Sequence, residues 1–525
     1  MSSLRTDRTV ARELRVALLV PGLAMALSCG QAEAAAVDHR VLETAAREGS
    51  VDALLVLADQ SRPTLAPLLQ NGDYRVRRGE LVVALQARAA TSQRALHVWL
   101  DARGIVHRDY WIANLIQARL PASALTELAA RGDILRIDPN PHIALRLPPQ
   151  PASPAQTGAE TATIIPWGIT KVEAPLVWAA GTTGQGVVIG GEDTGFQWDH
   201  PVLKLQYRGW SGALVDHNFN WHDAVHDAVE EPTCGNDSPV PCDPFGHGTH
   251  TAGTFVGDDG SAASPRHRTG VAPGARWIGC RNMDKAGTGT PARYIECMQW
   301  MLAPTDLNDG NANPDLAPDI VTNSWNCPVD EGCVSGDEIE IAVENLVAAG
   351  IFYVAAAGND GKNGCDTIFS PPATYDATFD AGATDSSDAL ADFSSRGRAM
   401  DHQVPPQVLS TKIRPDISAP GVNVYSAWPP STYQYLMGTS MAAPHVAGSA
   451  ALLMSAFPSL RGNPERVAAL LRATAVTQGI TNTSGVTESC GGTPITQWPN
   501  YMVGYGRLDV WKAYHEVVFI DGFDN

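Results

Sequence analysis

From roughly residue 165 onward, short apolar runs alternate with helical patterns: "GVVIGGEDTG", "ARWIGCRNMD", "DIVTNSW", the helix "DEIEIAVENLVAAG", then "IFYVAAAGND". A strand that is apolar along its whole length has no polar face to turn to water, so it must be covered on both sides. Strands of this kind, separated by helices, build an α/β fold: a doubly wound parallel sheet with flanking helices. Functional groups in such sheets collect at the carboxyl ends of the strands. The chemistry is therefore to be sought where these runs stop.

The chain is 525 residues long and needs at least two folded units. Residues 1–36 read as a secretory signal: four arginines in "MSSLRTDRTVARELR", the apolar run "VALLVPGLAMAL", and small residues in "AEAAA". That run is about a dozen residues, short of the about 20 a membrane span needs. The expectation is an exported protein, extracellular or periplasmic, with no stable membrane span. An alternative is a lipid anchor on Cys29 in "ALSC".

Residues 37–145 give a βαββαβ pattern: a strand in "VDALLVLAD", one long helix over 78–103, paired strands in "IVHRDYWIANLIQARLP", then helix and strand in "ASALTELAARGDILRIDPN". This is a small α+β unit. The proline-rich stretch "RLPPQPASPAQTGAET" follows, and residues 146–164 read as an exposed linker. Residues 165–516 form the large α/β unit, and 517–525 a short tail of unknown role.

The net charge of −19 excludes a nucleic-acid binder, which needs a basic face to neutralise phosphates. Nine cysteines less Cys29 leave eight, an even number that suits disulfides in an oxidising compartment. Cys234 with Cys242 and Cys327 with Cys333 could close local loops. Cys280, Cys297, Cys365 and Cys490 remain for two longer bridges, and spacing alone leaves the pairing open. No pair has the CxxC spacing usual in structural zinc sites.

Three stretches put a reactive side chain at the end of a strand or loop. Asp193 ends the run "VVIGGEDTG"; His247 stands between glycines in "GHGTHTAGT", which let backbone or substrate approach the imidazole; Ser440 opens the helix of "GTSMAAPHVAG". A helix starting at Ser440 would place Pro444 in its first turn, where a missing amide hydrogen costs little. It would also hold the serine at the positive end of the helix dipole, suited to a developing oxyanion. Serine needs a base to become a nucleophile, and the imidazole needs a carboxylate to fix its tautomer. Asn359 in "VAAAGND" adds an amide donor for a tetrahedral intermediate. Each residue alone has a bland reading, as an Asx-turn, a loop histidine or an N-cap. Together, in the order Asp, His, Ser, they are the parts of an acyl-transfer site.

"EDTG", "GHGTHTAG", "AAAGN" and "GTSMAAPHVAG" resemble the signatures of the subtilisin-like serine proteases, peptidase family S8. The likeness runs from "PWGITKVEAPLVW" to "GYGRLDVWKAY", and "FQWDHPVLKLQYRGW" points toward the bacillopeptidase F-like branch. It implies a serine endopeptidase with Asp193, His247 and Ser440 as the triad, and Asn359 with the Ser440 amide as the oxyanion hole. It further implies a cleft for an extended peptide between Gly287, Thr288 and Gly289 on one edge and Ser324, Trp325 and Asn326 on the other. Ala355, Ala356, Ala357 and Gly358 would line the pocket for the residue before the cleaved bond. Ser370 would lie at its base, giving an apolar or uncharged preference. Gly438 would clear room beside the scissile bond. The substrates are proteins or peptides, and no cofactor is needed for the chemistry.

The α+β unit resembles the inhibitory propeptides of this family, ferredoxin-like domains whose tail occupies the cleft. That implies an inactive precursor that cuts itself between about residues 140 and 165; the alternative is a permanent accessory domain. Three positions depart from the family pattern: Met437 replaces a serine, Phe245 a small polar residue, and "WDHPVL" lacks the acidic residue that often helps hold calcium. Structural calcium thus has no assignable site. Two other functions stay open: a pseudoprotease that binds without turnover, against which the complete set of four residues weighs, and an esterase or amidase, which would not need two peptide-pairing edges.

Overall fold

The computed structural model describes residues 34–60, 73–150, 163–229, 232–262, 265–333, 337–401, 408–482, 485 and 489–521. Most of the segment read as a signal, with Cys29, residues 151–162 of the stretch read as a linker, and the last four residues lie outside these.

The N-terminal part runs β1 (Ala36–Val37), α1 (His39–Glu48), β2 (Ser50–Leu57), α2 (Tyr74–Ser92), α3 (Arg94–Asp101), β3 (His107–Tyr110), β4 (Leu115–Pro121), α4 (Leu125–Ala129) and β5 (Ile134–Pro139). The expected element order is present from Ser50 to Pro139, with one short strand and one helix before it. The helix expected over 78–103 is two helices meeting at Gln93, whose buried side-chain amide donates to Asn114 Oδ1 at 3.1 Å. The strands form one sheet in the order β1-β5-β2-β4-β3, with only β1 and β5 parallel. Along β2, Ala53, Leu55 and Leu57 pack into a core shared with α1 and α3, and Leu54 and Val56 point the other way.

The larger part is built on β7 (Val188–Asp193), β8 (Trp221–Asp223), β9 (Arg276–Arg281), β11 (Ile320–Asn323), β12 (Phe352–Ala356), β13 (Phe379–Thr384) and β14 (Ile417–Pro420). Two short strands, β6 (Ile143–Ala144) and β10 (Thr288–Gly289), pair with each other outside this sheet. The seven strands are all parallel, in the order β14-β13-β12-β11-β7-β9-β8. Every residue of β11, β12, β13 and β14 is buried, as continuous apolar runs require.

The helices that cover the sheet are α5 (His247–Val256), α6 (Pro291–Leu302), α7 (Asp337–Ala348) and α8 (Thr439–Ala456). Ile189, Ile320, Val354 and Ala381 share a core with α5 and α8 on one face, and Ile278, Val321 and Tyr353 share another with α6 and α7. The fold is the doubly wound α/β arrangement expected from the sequence. Residues 517–521, read as the start of a tail, continue the last helix (Val510–Asp521), with Val517 buried in the core.

The second core also receives Leu54, Val56, Tyr110 and Ile112, so the outer face of the N-terminal sheet lies on α6 and α7. Polar contacts fix that seat. Tyr110 donates to Glu296 Oε2 at 3.1 Å, and Asn345 Nδ2 donates to the Ile112 carbonyl at 2.7 Å. At the C-terminal end of α7, where unpaired carbonyls attract cations, Arg77 donates to Ala348 O and the buried Arg78 to Ala349 O, both at 3.2 Å.

The eight cysteines pair as Cys234–Cys242, Cys280–Cys297, Cys327–Cys333 and Cys365–Cys490. The two local loops are as read from spacing, and the structure resolves the pairing of the other four.

Candidate active site

Asp193 is the last residue of β7 and His247 the first of α5, and both side chains are buried. His247 Nδ1 lies 2.7 Å from Asp193 Oδ1, which also accepts the Thr194 amide at 2.7 Å. A carboxylate accepts only, so Nδ1 carries the hydrogen and Nε2 is left as the basic nitrogen. Nε2 is buried with no hydrogen-bond partner. The glycine after His247 allows this close approach: a Cβ at Gly248 would fall 2.1 Å from the Gly195 carbonyl and 2.9 Å from Asp193 Cβ.

A second carboxylate, not singled out in the sequence, holds the two segments together. Buried Asp243 accepts Thr194 Oγ1 at 2.9 Å and the Gly246 amide at 2.7 Å through one oxygen, and Thr249 N at 2.8 Å and Oγ1 at 2.6 Å through the other. Thr194 Oγ1 in turn accepts the Gly248 amide at 3.0 Å. The "DP" before "FGHGTH" was the available signal: an aspartate just upstream of a helix start is placed to take its free amides. Burial pushes the carboxyl of Glu192, the residue before Asp193, well above its ordinary range.

His250 sits one turn after His247, and its Nε2 lies within hydrogen-bond distance of the Val424 and Gln434 carbonyls. Burial pushes it down to about 3, so it stays a neutral donor in the core. Among the described residues, the one cluster of three potential metal ligands is His97, His107 and Asp109, within the N-terminal sheet unit.

Ser440 lies one residue inside α8, which begins at Thr439. Gly438 caps it with φ +152°, a region that favours glycine. Room is not the reason: a Cβ there would meet nothing closer than 3.6 Å. Pro444 falls beyond the first turn and removes the amide that would bond to the Ser440 carbonyl. Ser324 Oγ replaces it, donating to Ser440 O at 3.2 Å, while Ser440 Oγ donates to Ser324 O at 3.2 Å. The hydroxyl thus bonds to the residue just after β11 rather than to His247.

Asn359 follows β12. Its Oδ1 accepts Thr439 N and Oγ1, each at 3.0 Å, which turns Nδ2 outward, where it donates to the Arg146 carbonyl at 3.0 Å. Gly358 N donates to Thr439 Oγ1 at 3.2 Å, tying the end of β12 to the start of α8. Ala355, Ala356 and Ala357 are buried along and just past β12. Trp325 is buried and stacks on Tyr294 at 3.7 Å, Asn326 has a buried amide nitrogen with no partner, and the Cys327 amide donates to Pro371 O, holding the Ser370 loop against this edge.

The opposite edge carries Gly287, Thr288 and Gly289. Thr288 and Gly289 pair antiparallel with Ala144 and Ile143, and the Leu145 amide donates to Gly287 O at 2.8 Å. Residues 146–150, the first of the stretch read as an exposed linker, continue through this groove with Arg146, Pro149 and Gln150 exposed. Gln150 exchanges hydrogen bonds with the backbone of Met437 at 2.9 and 3.1 Å. Phe245 lies beside Gly287 on this edge, with ring atoms 3.3 Å from a Cβ built there. Asp193, His247, Ser440 and Asn359 all stand at the carboxyl ends of sheet strands or on the helix starts facing them.

The sequence profile of the subtilase family matches residues 184–493. The chain is 33% identical over 402 residues to bacillopeptidase F of Bacillus subtilis (strain 168), covering 73% of this chain and 26% of that protein. It is 32% identical over 303 residues to subtilisin DY of Bacillus licheniformis, covering 58% of this chain and 89% of the relative. To subtilisin E of Bacillus subtilis (strain 168) it is 28% identical over 371 residues, 71% of this chain and 78% of the relative. The chain thus spans about a quarter of bacillopeptidase F and most of the two subtilisins. With the profile matched across all four motifs, the chain belongs to the subtilase family, the subtilisin-like serine endopeptidases.

Proposed function

We propose that the chain is the precursor of a secreted endopeptidase that cuts peptide bonds through an acyl-enzyme on Ser440. The observation that carries this reading is the buried Asp193–His247 hydrogen bond, which leaves His247 Nε2 unpartnered at the head of the helix pair α5 and α8. For attack, the Ser440 hydroxyl turns from Ser324 O to Nε2. His247 takes its proton, Asp193 stabilises the imidazolium, and Asn359 Nδ2 donates to the oxyanion. Nucleophile, base and oxyanion donors are all groups of the chain itself, so the chemistry proposed needs no cofactor. Structural calcium remains an open addition to this reading.

The N-terminal sheet unit is proposed to act as the intramolecular inhibitor: it rests on α6 and α7 and leads its chain directly into the groove. Export is supported by the N-terminal arginine–apolar–alanine pattern and by four cysteine pairs, which persist in oxidising compartments.

The test compares the precursor with Ser440→Ala, following chain size and casein hydrolysis, with a serine-directed covalent inhibitor as control. Wild type is expected to shorten and to cleave casein until inhibited, and the variant to do neither. Equal maturation and cleavage by both would end the assignment.

A further inference from the structure

Residues 143–150 cross the groove as a peptide substrate would. Ile143 and Ala144 are paired to Gly289 and Thr288, Leu145 to Gly287, and the next carbonyl, that of Arg146, receives the Asn359 amide. The chain then continues past the start of α8. Pro148 Cδ comes within 3.6 Å of a Cβ built on Gly438, and Gln150 is bonded to Met437. Only one carbonyl in this stretch meets the oxyanion donor, so the peptide bond presented is Arg146–Leu147.

The Arg146 side chain has its own partners. Its Nη2 donates to Asp330 Oδ2 at 2.8 Å and its Nε to Glu331 Oε1, while Glu331 Oε2 accepts the Ala144 amide at 2.8 Å. Asp360, next to Asn359, belongs to the same group. Burial pushes its carboxyl up, the Arg146 charge pulls it down, and Asp330 and Glu331 push it up further. Two carboxylates, Asp330 and Glu331, thus hold one guanidinium beside the presented bond. Arg146 is 41% exposed, and an ion pair so open to water adds little to fold stability. Its effect falls on recognition: a neutral side chain in that place leaves the largely buried Glu331 without its cation.

We propose that this enzyme selects arginine at the position before the scissile bond, that Asp330 and Glu331 are the residues that select it, and that Arg146–Leu147 is the bond cut in its own precursor. The proposal rests on the serine endopeptidase reading above and replaces the uncharged preference expected from Ser370, because the charge comes from the 330–331 loop rather than the pocket base. In the step, Ser440 Oγ adds to the Arg146 carbonyl carbon and its proton passes to His247. The carbon–nitrogen bond to Leu147 breaks as His247 returns the proton to the departing amine. Water then hydrolyses the Arg146 ester, freeing a carboxylate and restoring the Ser440 hydroxyl.

The test uses the full-length precursor, matured under its own activity, and two chromogenic peptides, acetyl-Ile-Ala-Leu-Arg-p-nitroanilide and the same peptide ending in leucine. Wild type is expected to favour arginine in kcat/KM by about tenfold or more, a gap of the size a lost charge-assisted contact leaves. In D330N/E331Q the arginine-to-leucine ratio falls toward unity; because it is taken within each enzyme, losses common to both peptides cancel. Mass spectrometry of the released N-terminal fragment is expected to end it at Arg146. A ratio near one in wild type, a ratio unchanged in the variant, or a fragment ending elsewhere would overturn the proposal. Failure of the endopeptidase reading looks different: neither peptide nor casein is cut.

Discussion

At His247 the 2.7 Å bond to Asp193 decides which ring nitrogen can act as a base. Replacing Asp193 by asparagine keeps the shape and offers a donor in place of an acceptor, which favours the wrong tautomer. Asp193→Asn is expected to lower kcat by about 10⁴-fold with KM little changed, read by steady-state hydrolysis of a chromogenic peptide. A loss under about tenfold would mean that Asp193 only holds a turn. Met437 replaces a serine of the family pattern, yet what the groove uses there is its backbone, bonded twice to Gln150, and any side chain supplies that.

Elements α5 and α8 meet through small residues, which is what the run "GTSMAAPHVAGSAALLM" achieves. At Gly448 a Cβ would stand 2.6 Å from Val271 Cβ and 3.1 Å from the Phe255 carbonyl, so even alanine forces the helix outward. Gly448→Val is expected to cost about 1–3 kcal/mol through overpacking, measured as a lower urea midpoint. Because α8 carries Ser440, peptide hydrolysis should fall by more than the loss of folded protein explains. Unchanged stability would show that the interface can yield. The Pro444 interruption acts on the same helix: the carbonyl it leaves free is the one that Ser324 grips, so a helix defect becomes the tie between α8 and the end of β11.

For the molecule as a whole, the seat of the N-terminal sheet on α7 includes a carboxylate pair. Asp138 on β5 and Glu338 on α7 share Arg136, whose Nη2 donates to Glu338 at 2.8 Å and whose Nε donates to Asp138. Burial, with Glu338 and Asp38 adding to it against the pull of Arg136, pushes Asp138 up to about 7. A carboxyl raised in the docked state binds a proton there that it releases when freed. Its contribution to docking is therefore complete below pH 3.8 and is lost as pH rises through about 7. In the full-length Ser440→Ala chain, hydrogen exchange of β5, corrected for intrinsic rate, is expected to quicken over that interval, and Asp138→Asn to flatten the profile. A pH-independent profile in the parent chain would refute the linkage.

The sheet and its chemistry-bearing ends were legible in the sequence, because a buried parallel strand must be apolar throughout and a reactive side chain at its end must be set off by glycine or a turn. Both are properties of a few adjacent residues, which is why Asp193, His247, Asn359 and Ser440 could be named before any contact was known. The Asp243 buttress was half legible, since an aspartate before a helix start is local, but its bonds to Thr194 cross 49 residues. The bond between Ser324 and Ser440 spans 116 residues, and those from Arg146 to Asp330, Glu331 and Asn359 span 184, 185 and 213. Composition marked residues 146–164 as a linker because proline and polar residues cannot hold a ladder within their own segment. Only the tertiary structure brought the strands of the cleft and the acidic loop to that segment, supplying from elsewhere in the chain the partners its own sequence lacks.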